Sequence, residues 1–342
     1  MDDLQIKLNK LASKYKQEST IKECFYHDKT ECQGKIKKAH SIQKNKRLSI
    51  LEEEINGNKV LYSFTSFEVG KEQLVKKLVP IGKGEASTFF GFCDFHDNKL
   101  FAPIENYEFD GSDKHCFLHS YRSFAHSYHL KKEAHKRNTE TNNLDYFGFE
   151  FKSIAIEGNE QAIRDLEEFK LAMDGFIEES IYDGLEYFTI TLPELYPVAC
   201  SACITPRYSP KNYSINNLGN LSIKASPIML TVLPDFTKTI IILACFPEDD
   251  KAVMLLDELE SLNDYHQRRA ISSFLVFSAE NTFFSPSLWR ALGVNKQRVL
   301  CSELSSSASF FVPDRFQFSQ INFFSPLFTH NQLSKSINNE LR

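Results

Sequence analysis

The 342-residue sequence predicts an α+β fold, with hairpins and helices in its first part and an antiparallel sheet flanked by helices in its second. Three observations carry this. Two long stretches, about 112–137 and 160–179, repeat apolar residues at helical spacing. After Gly184 the chain turns to short apolar runs of strand length, broken by Pro, Gly and Asn. Before Glu105, cysteine and histidine gather in two segments flanked by polar residues and Gly rather than by apolar runs.

Those two segments are the stretch with the most chemistry. The first, from Glu23 to Gln43, holds Cys24, His27, Cys32 and His40; the second, from Ala86 to Glu105, holds Cys93 and His96. Zinc takes four thiolate or imidazole ligands in a tetrahedron, commonly as two short-spaced pairs brought together by the fold. Cys93-Asp94-Phe95-His96 has the spacing of one pair, just ahead of a candidate helix from Asp97 to Glu105. Cys24 with Cys32 is the preferred other pair, with His27 or His40 as the alternative to Cys32. A lone buried cysteine behaves as a small hydrophobe, but two such groups in polar surroundings favour a structural Zn2+ held by Cys24, Cys32, Cys93 and His96.

The order of these residues resembles the treble-clef zinc fold of HNH-type nucleases: a Cys pair, then Ala39-His40-Ser41-Ile42, then Cys93-x-x-His96-Asp97-x-Lys99. More specifically, Gly34 to Gln43 with Ala86 to Asp97 is similar to a family of uncharacterised bacterial proteins with an AHSIQ … ASTFxGFCxxHD pattern. That similarity covers about the first third of the chain and implies no known activity. The HNH resemblance implies His40 as general base, Thr88 as the polar residue bracing it, and Asp97 as ligand of a catalytic Mg2+ or Mn2+. Two departures stand out. Ala39 replaces the acidic residue that often precedes the base, and the gap from His40 to Cys93 is long for the simple motif.

In chain order, Leu4, Ile6, Leu8 and Leu11 space like a short helix, and Leu48, Leu51 and Ile55 suggest another over Lys46 to Glu54. Asn56-Gly57-Asn58 signals a turn into a strand over Lys59 to Glu68. Gly82-Lys83-Gly84 is a loop and not a phosphate cradle, since no Gly-Lys-Ser/Thr leads it into a helix. The helix from Ser112 to Arg137 buries Phe117, Leu118, Tyr121, Phe124, Ala125 and Tyr128, leaving most of its histidines in solvent. Arg122 and His129 on it match the loose Arg-x-His spacing of HEPN-type RNases. The polar run Arg137 to Asp145 reads as a linker. It divides residues 1–137, a zinc-binding domain with a helical extension, from residues 145–342, an α+β domain for sensing or partner binding.

Beyond it, strands are expected at Leu185–Thr191, Val198–Thr205, Leu221–Lys224, Met229–Leu233 and Thr239–Phe246. Helices follow at Asp250–Asn263, His266–Ala279 and from Pro286 to Leu292. Cys200-Ser201-Ala202-Cys203 lies inside a strand pattern. A redox motif would open a helix and a zinc knuckle would need a second pair nearby, so these are core cysteines on opposite strand faces.

Composition narrows the function. Hydrophobic content of 42% and charged content of 25% are those of a globular protein, and 30 Phe foretell a Phe-rich core. A net charge of −5 excludes a surface coated in positive charge, though not a local basic patch. Eight cysteines spread beside histidine in a chain this long read as reduced thiols or ligands. No secretory leader or membrane-length apolar run is present, so the expected compartment is the cytoplasm.

Three readings follow. The first is a zinc-stabilised HNH-like nuclease, with Lys35, Lys37, Lys38, Lys44, Lys46 and Arg47 neutralising phosphates. Through the bacterial family it implies defence against foreign nucleic acid. The second is a non-catalytic zinc module binding nucleic acid or a partner protein. The third is a HEPN-like RNase using Arg122 and His129.

Overall fold

A computed structural model describes residues 10, 13–69, 74–140, 149–307 and 314–340. Ten strands and seven helices of at least eleven residues organise them. The first part contains β1 (Ile36–His40), β2 (Glu53–Ile55), β3 (Asn58–Val69), β4 (Leu74–Ile81), β5 (Thr88–Cys93), α1 (Asp94–Asn106) and α2 (Asp113–Glu140). After α3 (Phe149–Glu179) come β6 (Glu186–Leu192), β7 (Val198–Ile204), β8 (Ile228–Asp235) and β9 (Lys238–Cys245). The chain closes with α4 (Asp250–Ser261), α5 (Asp264–Phe277), β10 (Thr282–Phe284), α6 (Pro286–Ser307) and α7 (His330–Glu340).

The expected α+β class holds. Strands β1 and β5 form a small antiparallel sheet, and the other eight form one large sheet in the order β2-β3-β10-β7-β8-β9-β6, with β4 also on β3. All its pairings are antiparallel. Alternate residues of its central strands enter different cores. Cys200, Leu230, Val232, Ile241 and Leu243 pack with helices α4 to α6 on one face. Met229, Ala244 and Cys203 pack on the other with α2, α3 and the first hairpin. Covered on both faces, β8 and β9 are buried along almost their whole length, which is why they read as largely apolar and not as an alternation. Cys200 and Cys203 do fall on opposite faces.

The sheet crosses the boundary expected from the polar run. Phe283 and Phe284 of β10 pair with Ser63 and Tyr62 of β3, so strands from the first seventy residues complete a sheet built mostly after residue 185. The short sequences of β2 and β10 gave no periodic signal of this. The first residues of the expected linker belong to α2, and 141–148 lie outside the described residues, as does most of the amino-terminal helix expected at Leu4 to Leu11.

Other expectations need correction. The helix over Lys46 to Glu54 is only a short turn around Lys44 to Leu51, and Glu53 already pairs with Val60 in β2–β3. Leu221 to Lys224 is an exposed loop, because no neighbouring strand offers it hydrogen bonds among the described residues. In α6 the helix breaks at Gly293, whose φ of 66° is the left-handed conformation that glycine adopts without cost. No described helix is long and apolar enough to cross a membrane.

Candidate metal centre

The β1–β5 hairpin is built so that its ends bring four ligands together. Register pairs Ile36 with Cys93 and His40 with Thr88, so one end of the ladder carries a cysteine and the other a histidine. The segment before β1 lies along β5: Glu23 N–H donates to the Phe90 carbonyl at 3.2 Å and Phe25 N–H to that of Gly91 at 2.6 Å. This lays Cys24 beside the strand. Asp28 then caps a single helical turn, accepting from Thr30 N–H, and the turn delivers Cys32. Gly34 adopts φ of 76°, and a β-carbon there would stand 2.7 Å from Asp94 Oδ2, the atom that accepts from Lys35 N–H. Cys93 caps α1, its sulfur accepting from His96 N–H at 3.5 Å, so strand end and helix start present the second pair.

The ligand atoms of Cys24, Cys32, Cys93 and His96 all lie within 4.8 Å of one another. His96 Nδ1 is 3.5, 3.7 and 3.2 Å from the sulfurs of Cys24, Cys32 and Cys93. A zinc tetrahedron with ordinary bond lengths has sulfur–nitrogen edges of about 3.6 Å. The cluster therefore fits a structural Zn2+. His27 and His40 are not part of it, which decides the alternative in favour of Cys32.

A bound cation would also suit the thiols electrostatically. Desolvation by burial raises the Cys24 thiol, and burial with the neighbouring Cys24 pushes Cys32 up to about 12. Cys93 is desolvated too, but N–H groups of His96 and Gln33 and the adjacent sulfurs more than offset this and hold it low. A metal ion supplies the positive charge that lets all three ionise together. The imidazole is fixed on both sides: Tyr26 stacks on the His96 ring at 3.9 Å between centroids, and Glu31 Oε2 lies 3.7 Å from its Nε2. A carboxylate behind a ligating histidine holds the ring's orientation.

His40, at the far end of β1, is a separate group. Its Nε2 meets the Lys83 carbonyl at 3.2 Å, so that nitrogen carries the proton and Nδ1 is left as a base. Burial, with Lys44, Arg122 and Lys38 nearby, depresses its pKa despite the Lys83 bond. Thr88 stands across from it in register, yet its hydroxyl donates to the Glu85 carbonyl at 2.8 Å. The bond that orients His40 thus comes from the Gly82-Lys83-Gly84 loop.

Asp97 follows the ligand His96 on α1. Its carboxylate lies 3.5 Å from Arg122 and 4.0 Å from Lys37. Desolvation raises its pKa against the pull of Arg122, whose guanidinium faces the buried Oδ1. Arg122 also donates to Glu105 Oε1 at 2.6 Å and packs its guanidinium 4.1 Å from the Phe101 ring centroid. Gln43 donates to the Glu105 carbonyl and ties the end of the hairpin to α1. Since Arg122 acts on both His40 and Asp97, its charge links the two positions. Glu105, Gln43 and Lys83 carried no sequence signal for this role.

The basic cluster is less available than its sequence suggests. Arg47 is buried and paired with Asp235 on β8, so it belongs to the core. Lys37 pairs with Asp94 and Asp97, and Lys38 with Glu85. On α2 the six apolar residues of the expected stripe are buried, but so are His115, His119, His126 and His129. The histidines expected in solvent are enclosed because the sheet, α3 and the zinc hairpin surround this helix. No protein-family model matches the chain, and no curated protein or solved structure matches it either.

Proposed function

We propose that this protein is a zinc-stabilised, HNH-like nuclease in which the Cys24–Cys32–Cys93–His96 centre is structural and His40 is the general base. The observation that carries the reading is the pinning of His40. It sits on the strand beside the four ligands, with Nε2 engaged by the Lys83 carbonyl and no hydrogen bond to Nδ1 among the described residues. A depressed pKa keeps that nitrogen unprotonated at neutral pH, the state a base needs. In the proposed step His40 Nδ1 takes a proton from water as the oxygen attacks phosphorus, and the ester oxygen leaves with the bond electrons. Asp97, whose buried Oδ1 faces the Arg122 guanidinium at 3.5 Å, is the residue that would hold a Mg2+ or Mn2+ to stabilise that leaving oxygen. Ala39 offers no second carboxylate for such an ion. Thr88 keeps β5 in register opposite the base without bonding it.

Two observations favour the rival reading of a non-catalytic zinc module: Ala39 is buried, and Asp97 already has two cationic neighbours. The HEPN-like reading draws less support. Arg122 and His129 are both buried and engaged with Glu105 and Glu133.

The test is cleavage of plasmid DNA and single-stranded RNA with Mg2+ or Mn2+ present. His40→Ala should lower the rate by roughly a hundred- to ten-thousandfold while leaving zinc content and melting temperature unchanged. Wild-type protein that carries zinc, binds nucleic acid and cleaves neither substrate would establish the binding module instead.

A further inference from the structure

A cavity separate from the metal centre lies elsewhere in the molecule. It lies between α2, α3, β7 and the loop joining β7 to β8, and encloses about 290 Å³. Leu130, Leu166 and Phe169 give it apolar walls. Two buried polar side chains face it with unused bonding capacity. His126, 3% exposed, has an Nδ1 with no hydrogen-bond partner. Asn281, 6% exposed, spends its amide N–H groups on Ser41 Oγ and the Ser201 carbonyl, and its Oδ1 makes no hydrogen bond among the described residues. Lys131 lines the same cavity and has no ion-pair partner among the described residues. At the rim Leu218, Leu221 and Ile223 are exposed on a single loop, where an occupant would cover them.

An unsatisfied polar atom in an apolar chamber is costly unless a ligand or water completes it. Here an imidazole nitrogen and an amide oxygen offer a polar edge between apolar walls, and Lys131 supplies a positive charge; of the other charged lining groups, Asp165 is engaged by Gln161 and the Ala225 N–H, Lys224 pairs with Glu168, and Glu280 is exposed. That chemistry selects a planar ring with hydrogen-bonding groups on its edge and a single acidic group attached. We propose that this cavity binds a nucleoside monophosphate, with the base between the leucine and phenylalanine walls, its edge on His126 and Asn281, and the phosphate at Lys131. The volume suits one such molecule and no dinucleotide. Both edge residues also touch the hairpin: Asn281 donates to Ser41, the neighbour of His40, and His126 meets Phe89 edge-on at 5.1 Å.

The proposal stands whether or not His40 is catalytic. Isothermal titration of the full-length protein with AMP, GMP, CMP and UMP, each to about 1 mM, is the experiment, with inorganic phosphate and adenosine as controls. One of the nucleotides should bind at one per chain, and inorganic phosphate should not. Lys131→Ala should weaken that nucleotide roughly tenfold through loss of one charged contact. Ala162→Trp, which fills the cavity from α3, should abolish binding, while His40→Ala should retain it. Failure of all four nucleotides to bind, or binding lost in His40→Ala and kept in both Lys131→Ala and Ala162→Trp, would overturn the assignment.

Discussion

At the scale of single residues, the histidines divide by what surrounds their nitrogens. His40 keeps one nitrogen on a carbonyl, with no hydrogen bond to the other among the described residues, and burial, with Lys44, Arg122 and Lys38 nearby, holds its pKa below the ordinary 6.5. If it is the base of a cleavage reaction, activity should rise with pH through a single ionisation below that value and be flat from neutral pH upward, because only the unprotonated ring accepts the proton. A pH–rate profile checks this; a rate that falls on raising the pH from 5 to about 7 would exclude His40 as base. His119 and His126 are different, being enclosed with no role in that chemistry. Burial lowers His126 to about 4 and His119 well below its usual value. Between the folded and unfolded pKa values the unfolded chain binds a proton that the folded chain refuses. Stability from these groups is therefore complete above the unfolded value and drains away as pH falls, by about 1.4 kcal/mol per unit for each histidine. Urea unfolding should show a marked loss between about pH 6.5 and 5. His126→Gln should flatten that slope.

At the scale of elements, the β1–β5 pair adjoins the four clustered ligands and shares a core through Ala39, Phe89 and Phe92. Its strands are short, and its ends are held by Cys24, Cys32, Cys93 and His96 at the mouth of α1. Removing the ion would leave closely spaced thiols in a desolvated site, so chelation should lower the melting temperature in proportion to zinc lost. Elemental analysis should find about one zinc per chain. Cys93→Ser should cost several kcal/mol, as loss of a structural metal does, whereas Cys200→Ser should cost only about 1–3 kcal/mol for a buried hydroxyl. Comparable losses in both variants, or a folded metal-free protein, would show that the four residues are ordinary core.

This element was also the most legible in the sequence. Ligand chemistry demands particular residue types, so Cys93-x-x-His96 before a helix announced itself without any knowledge of the partners. The long helices were equally readable, because their periodic apolar faces lie in one continuous stretch. What escaped was set by contacts far apart in the chain. Nothing local says that Phe283 pairs with Ser63, that Arg47 is buried, or that Lys83 orients His40. The solvation of the α2 histidines was misread for the same reason: helical spacing shows one buried face, but this helix is packed on several.

At the scale of the whole molecule, the hairpin half and the sheet half are joined by more than β3. Arg47 follows β1 and reaches across to β8, where its guanidinium pairs with Asp235 and donates to the Pro234 carbonyl at 3.2 Å. Both partners are nearly inaccessible to water. Desolvation pulls the Arg47 pKa down against the attraction of Asp235, showing how far burial opposes the charge. A pair in this setting contributes little net stability, since its Coulomb energy mainly offsets the loss of hydration. Its two single deletions are another matter. Arg47→Ala leaves a carboxylate in the interior with no counter-charge, and Asp235→Ala leaves a guanidinium; each should cost about 3–5 kcal/mol. Replacing both, as Arg47→Met with Asp235→Leu, should recover most of that loss, because the space is refilled and no charge is stranded. Denaturant unfolding of the four proteins measures the coupling directly. Additive losses would mean that the two groups act independently and that the hairpin and sheet are joined by other contacts; recovery in the double variant would identify this buried pair as the joint between them.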